Sequence, residues 1–397
     1  MFGFNSRASK RQCGVIVDIG SGSVGIAIVF SDADTVKPEV IWSHREYVPI
    51  KDVDTIEIPL KEISTSVVNA FLNLGSAGMK ALHDHPDKLS VSTVQASISA
   101  PWTYTVTKSI NYSDDHPFEV DSELLQELSD TAEKQAFTTV LENEMFKENQ
   151  LEVIDNQTIS TFINGYPIEH PESIKTRAVV LAHITAITQN KITQVLEDSQ
   201  NKILPATTLS IHSSMYMYYD VMKHLNPDTS EACLVEVTSE ATEIGIIRDG
   251  TLTHVTHTSF GTFSIAREIA HVCKIPKEEA YAYLKGTSLV HSKLSDAKLT
   301  EIDTLMNAYE EKLVSLFKGT GDILAIPKTL FLHTESLTEE FFAKHLLSAA
   351  KKATGMQHNI HPVTSLLFKE PITGDTPILL AAHYFHQKHV QKVEHDA

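Results

Sequence analysis

The stretch Val15-Ile16-Val17-Asp18-Ile19-Gly20-Ser21-Gly22-Ser23-Val24-Gly25-Ile26-Ala27-Ile28-Val29 constrains this chain more than any other. Two short apolar runs flank a turn of small residues. Val15–Val17 reads as a buried strand and Ile26–Val29 as its partner, since β-branched runs bounded by Gly and Ser suit a buried sheet. Gly20, Ser21, Gly22 and Ser23 lack bulk, so backbone N–H groups there can approach an anion closely. Asp18 ends the first strand, where a carboxylate can hold a hydrated Mg²⁺. Taken alone, the stretch is equally a plain β-hairpin with a Gly/Ser turn.

A second stretch repeats the plan. Leu234-Val235-Glu236-Val237 is an apolar strand with an acidic residue 218 positions beyond Asp18. Thr238, Ser239 and Glu240 make a turn, and the chain then alternates through Ile244 and Ile246 into an Asp249-Gly250 hairpin. Phe260-Gly261-Thr262 follows, with a helix expected from near Ile265. Two such hairpins predict an α/β chain of two related half-domains facing one cleft.

At 397 residues the chain has room for two or more domains. A formal charge of −18 argues against a nucleic-acid footprint and against broad docking on anionic lipid. Cys13, Cys233 and Cys273 are far apart and form no CxxC pair, which suits a reducing cytoplasm and excludes a disulfide framework. No apolar run approaches the ~20 residues of a membrane span. Residues 1–12 read as a flexible leader; the alternative is that Phe2, Phe4 and the basic residues there touch a membrane or a partner.

Between the two hairpins the patterns predict a third strand at Glu39–Val48, a helix within Val53–Leu82 and a strand at Val94–Ser99. Trp102–Tyr112 alternates as a half-exposed strand, and Asp121–Val140 is a helix capped by Asp121. Leu151–Ile154, Thr158–Pro167 and Ala178–Thr188 read as three strands, and Thr188–Gln200 as a helix. In the helix Ser213–Leu225, Met215, Tyr216, Met217, Tyr218 and Tyr219 read as core rather than as a cofactor box. Further helices are expected at Pro276–Leu284, Leu299–Phe317, Thr338–Lys352 and Pro377–Tyr384, with a strand from Pro327 to a turn near Thr334. His83, His85, His254, His257, His383, His386 and His389 lack the spacing of a zinc site and read as mostly surface residues.

The paired hairpins resemble the phosphate loops of the actin-like ATPase superfamily. Within it the chain is similar to the bacterial FtsA and PilM families, because a strand, a helix and further strands follow about 80 residues after the first loop. The resemblance implies a two-lobed, ribonuclease H-like α/β fold. Its parts would be 13–92 with 178–228 (first half-domain), 93–177 (FtsA-type inserted subdomain), 229–385 (second half-domain) and a polar tail at 386–397. It also implies ATP and Mg²⁺ in the cleft. Asp18, Gly20, Ser21, Gly22 and Ser23 would form the first loop, Glu236, Thr238 and Ser239 the second, with Gly261, Lys285 and Thr334 beside them. Asp18 and Glu236 would hold the metal through waters.

Several positions depart from the family pattern. Gly25 stands where FtsA and PilM often carry a lysine, and Tyr281 or Ala282 where the pocket helix has Glu. His333 and Thr334 replace the Gly-Gly of the adenosine turn, and Ser239-Glu240 replaces that of the second loop. A Glu240 carboxylate ~5 Å from phosphate would cost roughly 3 kcal/mol per like-charge pair at an effective dielectric of ~20, unless the loop turns it outward. Nucleotide binding is therefore expected to be weakened or lost. The resemblance implies a cytoplasmic scaffold at an inner-membrane complex, for cell division or for type IV pilus assembly. Its partner would be an FtsZ-like ring protein or the cytoplasmic tail of a pilus membrane protein, with self-association also open. The alternative is an actin-fold enzyme, a small-molecule kinase or a phosphatase.

Overall fold

The computed structural model describes residues 9–51, 57–142, 150–286, 295–320, 326–334, 336–367 and 375–396. The first half-domain opens with an antiparallel meander of β1 (Arg11–Ile19), β2 (Ser23–Asp32) and β3 (Glu39–Tyr47). Helix α1 (Glu57–Asn73) passes through a π-helical turn into α2 (Met79–Asp84), and β4 (Val91–Ile98) returns parallel to β1. An inserted layer follows, made of β5 (Thr103–Glu119), α3 (Ser122–Leu141), β6 (Leu151–Ile163), β7 (Tyr166–Pro167) and β8 (Lys175–Gln189). Helix α4 (Asn190–Ile203) and β9 (Thr208–Ser213) complete the first half, and α5 (Ser214–Leu225) leads to the second.

The second half repeats the order. It comprises β10 (Ala232–Val237), β11 (Thr242–Arg248), β12 (Thr251–Thr258), α6 (Thr262–Cys273), α7 (Lys277–Leu284), α8 (Asp296–Lys318), β13 (Thr329–His333), α9 (Glu339–Thr354) and β14 (Asn359–Pro362). Helices α10 (Val363–Leu367) and α11 (Thr376–His395) close the chain. The strand orders β3-β2-β1-β4-β9 and β12-β11-β10-β13-β14 match, each an antiparallel meander continued by two parallel strands. Asp249 and Gly250 both have positive φ, the conformation a two-residue hairpin needs to follow the strand twist.

Successive side chains point to opposite faces, and because both faces of each sheet are covered the strands are apolar on both. Val15, Val17 and Ile19 pack outward with Ile63 and Val67 of α1 and Leu196 of α4. Ile16, Ala27 and Val29 point inward, into a layer formed by α5 and α11 that they share with Leu234 and Phe331 of the second sheet. Val235 and Val237 pack outward under Ile265, Ile269 and Leu313. Asp18 shares parity with Ile16, and Glu236 with Leu234, so both carboxylates face the space between the sheets.

Strand pairing moves the edges of the insertion. β4 lies inside the first sheet, while β8 pairs with β5 and β6 in the four-stranded sheet, so that layer runs from Thr103 to Gln189 rather than from 93 to 177. The two strands expected at Leu151–Ile154 and Thr158–Pro167 are one irregular strand, β6, plus the short β7. Buried Asp155 anchors this layer, accepting hydrogen bonds from the Ser213 backbone N–H (2.7 Å) and from His212 Nδ1 (2.7 Å).

The closing segment also differs. The expected polar tail from 386 is the last half of α11, with His386, Gln387 and His389 buried. Of the other histidines read as mostly surface residues, His83 is exposed and His85, His254, His257 and His383 are half-buried; His183, His333, His345 and His358, outside that set, are buried. The Met/Tyr run of α5 is core, as its residues required. Residues 1–8 of the expected leader and Glu335 of the expected turn lie outside the described residues; Arg11 and Gln12 already belong to β1. Among the described residues no helix is long and apolar enough to cross a membrane, and no cluster of three metal-ligating side chains occurs.

Candidate functional site

A cavity of about 300 Å³ opens between the two sheets, at the small end of ligand-pocket sizes. Asp18, Gly20, Ser21 and Ser23 line it from the first hairpin, and Glu236, Thr238 and Ser239 from the second. Lys285 and Thr334 line it as well. Gly22 and Gly261 do not. They are points of close packing, where a Cβ would come within 2.4 Å of Ser239 Oγ and 2.3 Å of the Thr238 carbonyl oxygen respectively. The sequence reading missed Arg45, Ser99 and Asp375, which also face this space.

Arg45 dominates the first lobe's side. Its Nη2 donates to Asp18 Oδ2 (2.8 Å) and to Asp375 Oδ1 (2.6 Å), Nε donates to Asp375 Oδ2, and Nη1 donates to Ser23 Oγ (2.8 Å). The second Asp18 oxygen accepts from Ser97 Oγ (3.2 Å). Burial works against the Arg45 charge, but Asp375 and Asp18 outweigh it and raise its pKa. Burial pushes the Asp18 carboxyl up, and Arg45 opposes the rise. Asp375 also caps α11, its Oδ1 accepting from the Ile378 N–H.

The two loops bond to each other. Ser21 Oγ donates to Thr238 Oγ1 (2.8 Å) and accepts from the Glu240 backbone N–H (2.7 Å). The first N–H groups of α6, on Thr262 and Phe263, donate to the carbonyls of Thr238 (3.1 Å) and Ser239 (2.7 Å). A helix N-terminus that could greet an anion is thereby satisfied within the protein.

Glu236 sits in a cross-strand row, His333–Glu236–Glu243–His257, that spans β13, β10, β11 and β12. Its Oε1 accepts from Ser214 Oγ (2.5 Å) and lies 3.2 Å from His333 Nδ1. Burial, then the neighbouring Glu236, push the Glu243 carboxyl well above the usual range, which favours its protonated form. Glu236 Oε2, Glu243 Oε1 and His333 Nε2 are buried without a hydrogen-bond partner among the described residues.

Glu240 does not stand as a bare charge against the cleft. Arg267 of α6 grips both its oxygens at 2.6 Å, and Ser264 Oγ donates at 3.1 Å. The repulsion expected from the sequence is neutralised within the protein. Lys285 lies over the Tyr281 ring, 4.2 Å from its centroid.

The expected Mg²⁺ ligands are therefore committed elsewhere. A hydrated Mg²⁺ needs open carboxylate oxygens with room for waters in a near-octahedral shell. Asp18 presents both oxygens to Arg45 and Ser97, and Glu236 Oε1 is shared by Ser214 and His333, which leaves Glu236 Oε2 as the one uncommitted oxygen of the pair. This donor set does not fit the ion. The sequence signal for Arg45 was slight, a cation with no acid two residues to either side on its strand; the Gly25 that faces it appears only with the register of β2 and β3. Asp375 had none, because its partner lies 330 residues away.

No protein-family model matches the chain, and no curated protein matches it. Among solved structures, a PilM-PilN type IV pilus biogenesis complex is similar at 12% identity and a TM-score of 0.56, over 95% of this chain and 98% of that one. The ethanolamine utilization protein EutJ from Carboxydothermus hydrogenoformans is similar at 12% identity and a TM-score of 0.44, over 96% and 93%. A Bacteroides thetaiotaomicron protein with an actin-like ATPase fold is similar at 11% identity and a TM-score of 0.43, over 96% and 98%. Two sheets of one strand order face each other across a cleft, and the likeness to the PilM-PilN structure runs over nearly the whole length, so the chain has an actin-like two-lobed α/β fold.

Proposed function

We propose that this chain is an actin-like scaffold whose cleft does not turn over ATP efficiently, and that it works by docking on a protein of an inner-membrane complex. One observation carries the reading: the two loops that would grip a polyphosphate from opposite sides are hydrogen-bonded to each other through Ser21, Thr238 and the Glu240 N–H. Groups already paired must be released before they can hold phosphate, and that release works against binding. The PilM-PilN likeness supports a protein partner, with the cytoplasmic tail of a pilus membrane protein preferred over an FtsZ-like ring protein. Three free, buried thiols suit a cytoplasmic site at the membrane's inner face. An actin-fold kinase or phosphatase needs an open phosphate grip, which the tied loops oppose.

Two measurements test this. Calorimetric titration with Mg-ATP is expected to give no saturable heat, and the ATPase rate to stay at background; tight binding with turnover would overturn the scaffold reading. Fluorescence anisotropy with labelled cytoplasmic tails of the membrane proteins encoded beside this chain is expected to find one saturable partner. Failure of every tail, with robust turnover of a phosphoryl donor, would favour the enzyme.

A further inference from the structure

The side-chain chemistry at Arg45 carries a more specific statement about the cleft. Asp18, Gly25 and Arg45 form a cross-strand row over β1, β2 and β3. Because Gly25 has no side chain, the guanidinium lies across β2 and reaches the carboxylate two strands away; a Cβ on Gly25 would fall 2.5 Å from Nη2. On its far side the same guanidinium meets Asp375, at the start of α11. One cation thus joins a carboxylate at the end of β1 to a carboxylate that caps the closing helix. It makes four N–H···O bonds, with the side chain only 11% exposed.

We infer that Arg45 is a permanent, protein-borne substitute for a divalent cation in this cleft, so that the native chain takes no metal there and removal of the guanidinium turns Asp18 and Asp375 into a divalent-cation site. One buried and one half-buried carboxylate and a hydroxyl, all oxygen donors converging on one positive centre, are what a hard cation would be offered. Arg45 meets them with a planar fork whose charge is not lost at any accessible pH. A metal on Asp18 Oδ2 would have to sit against this guanidinium, 2.8 Å from the same oxygen. The cleft is therefore held in one arrangement whether or not metal or nucleotide is present. This deepens the scaffold reading, but its test is separate from partner capture and from ATP turnover.

The test is thermal unfolding of the native chain, Arg45→Ala and the double variant Arg45→Ala/Asp18→Asn, each with EDTA, MgCl2 or MnCl2 at matched ionic strength. Arg45→Ala is expected to melt well below the native chain in EDTA, since buried Asp18 and half-buried Asp375 lose their counter-charge. It is expected to recover several degrees with Mn²⁺ or Mg²⁺ through binding to the folded state. The native melting temperature should not move, and the double variant should lose the response. The double variant also separates a real site from general stabilisation of a chain with a −18 charge. If Arg45→Ala does not fold in EDTA, the fraction refolded with and without Mn²⁺, read by circular dichroism, is the same measurement. A native chain that itself shifts with Mn²⁺, or binds it in an electron paramagnetic resonance titration, overturns the inference. So does an Arg45→Ala variant that ignores the cation.

Discussion

Gly25 and Arg45 face each other directly across β2 and β3, and the space a Gly25 side chain would fill is occupied by the Arg45 guanidinium. The pair is a single device: the missing Cβ on one strand lets the cation on the next reach Asp18. Gly25→Ala would put a methyl within 2.5 Å of Nη2 and 2.9 Å of Ile378 Cδ1. It is expected to displace the guanidinium and destabilise the fold by about 1–3 kcal/mol, the usual range for overpacking. Urea unfolding measures this. A Gly25→Ala variant as stable as the native chain would mean that Arg45 has slack to move without losing its bonds.

Glu240 and Arg267 form a two-pronged pair, each with a side chain 18% exposed. Such forked, charge-assisted contacts exceed the exposed surface pair in strength. A double-mutant cycle of Glu240→Ala and Arg267→Ala is expected to show a coupling of about 0.5–3 kcal/mol. Glu240→Gly alone is expected to leave Mg-ATP binding absent, because the Glu240 charge is already met and the Ser21–Thr238 bond and Arg45 persist. Recovery of binding in that variant would return Glu240 to the role of obstacle.

Much of the fold was legible because it is written in short-range patterns. β-branched runs, the Gly/Ser turn and the Asp249-Gly250 hairpin each specify structure within a few residues, and the second hairpin repeated the first. The parity of Asp18 and Glu236 in their strands was enough to bring them to one cleft. What the cleft does with them was not legible, since it depends on partners far apart in the chain: Arg45 with Asp375, Ser21 with Thr238, and Glu236 with Ser214 and His333. The tail was misread for the same reason. His386 and His389 look polar in sequence and become buried only because β2 supplies Ser31 beneath them.

That Ser31 contact gives a further prediction. Ser31 is fully buried, and its hydroxyl lies 2.8 Å from Nδ1 of both His386 and His389. The Nε2 atoms of these rings lie 3.1 Å from the Thr35 carbonyl and 2.7 Å from that of Ser9, so each ring donates there and turns a lone pair to Ser31, whose one hydroxyl proton can go to only one of the two at a time. Ser31→Ala removes the one proton the two buried Nδ1 atoms share, at about 1–3 kcal/mol for the lost donor. Hydrogen exchange is expected to accelerate in the last two turns of α11 before the rest of the fold. Unchanged protection there would mean that the helix end is held by apolar packing alone.

Acid stability should report on Glu310, which clamps α8 to α9. Its carboxylate accepts from His345 Nδ1 (2.9 Å), Ser348 Oγ (2.7 Å) and Lys352 Nζ (2.7 Å). Burial pushes this group up, but Lys352, Ser348 and His345 together outweigh it and carry it down to about 2, from 4.5 in an unperturbed Glu. The folded chain thus releases this proton more readily than the unfolded chain does. Glu310 contributes stability in full above about 4.5, and the contribution fades as pH falls from there towards 2, because the unfolded state binds the proton first. Glu310→Gln keeps the shape and removes the charge. Compared by urea midpoint between pH 7 and pH 3, the variant is expected to be less stable at neutral pH, with the gap narrowing only below about 4.5. A gap of constant size across that range would assign the contribution of Glu310 to packing and neutral hydrogen bonds, and would take its ionised form out of the account of how α8 and α9 are joined.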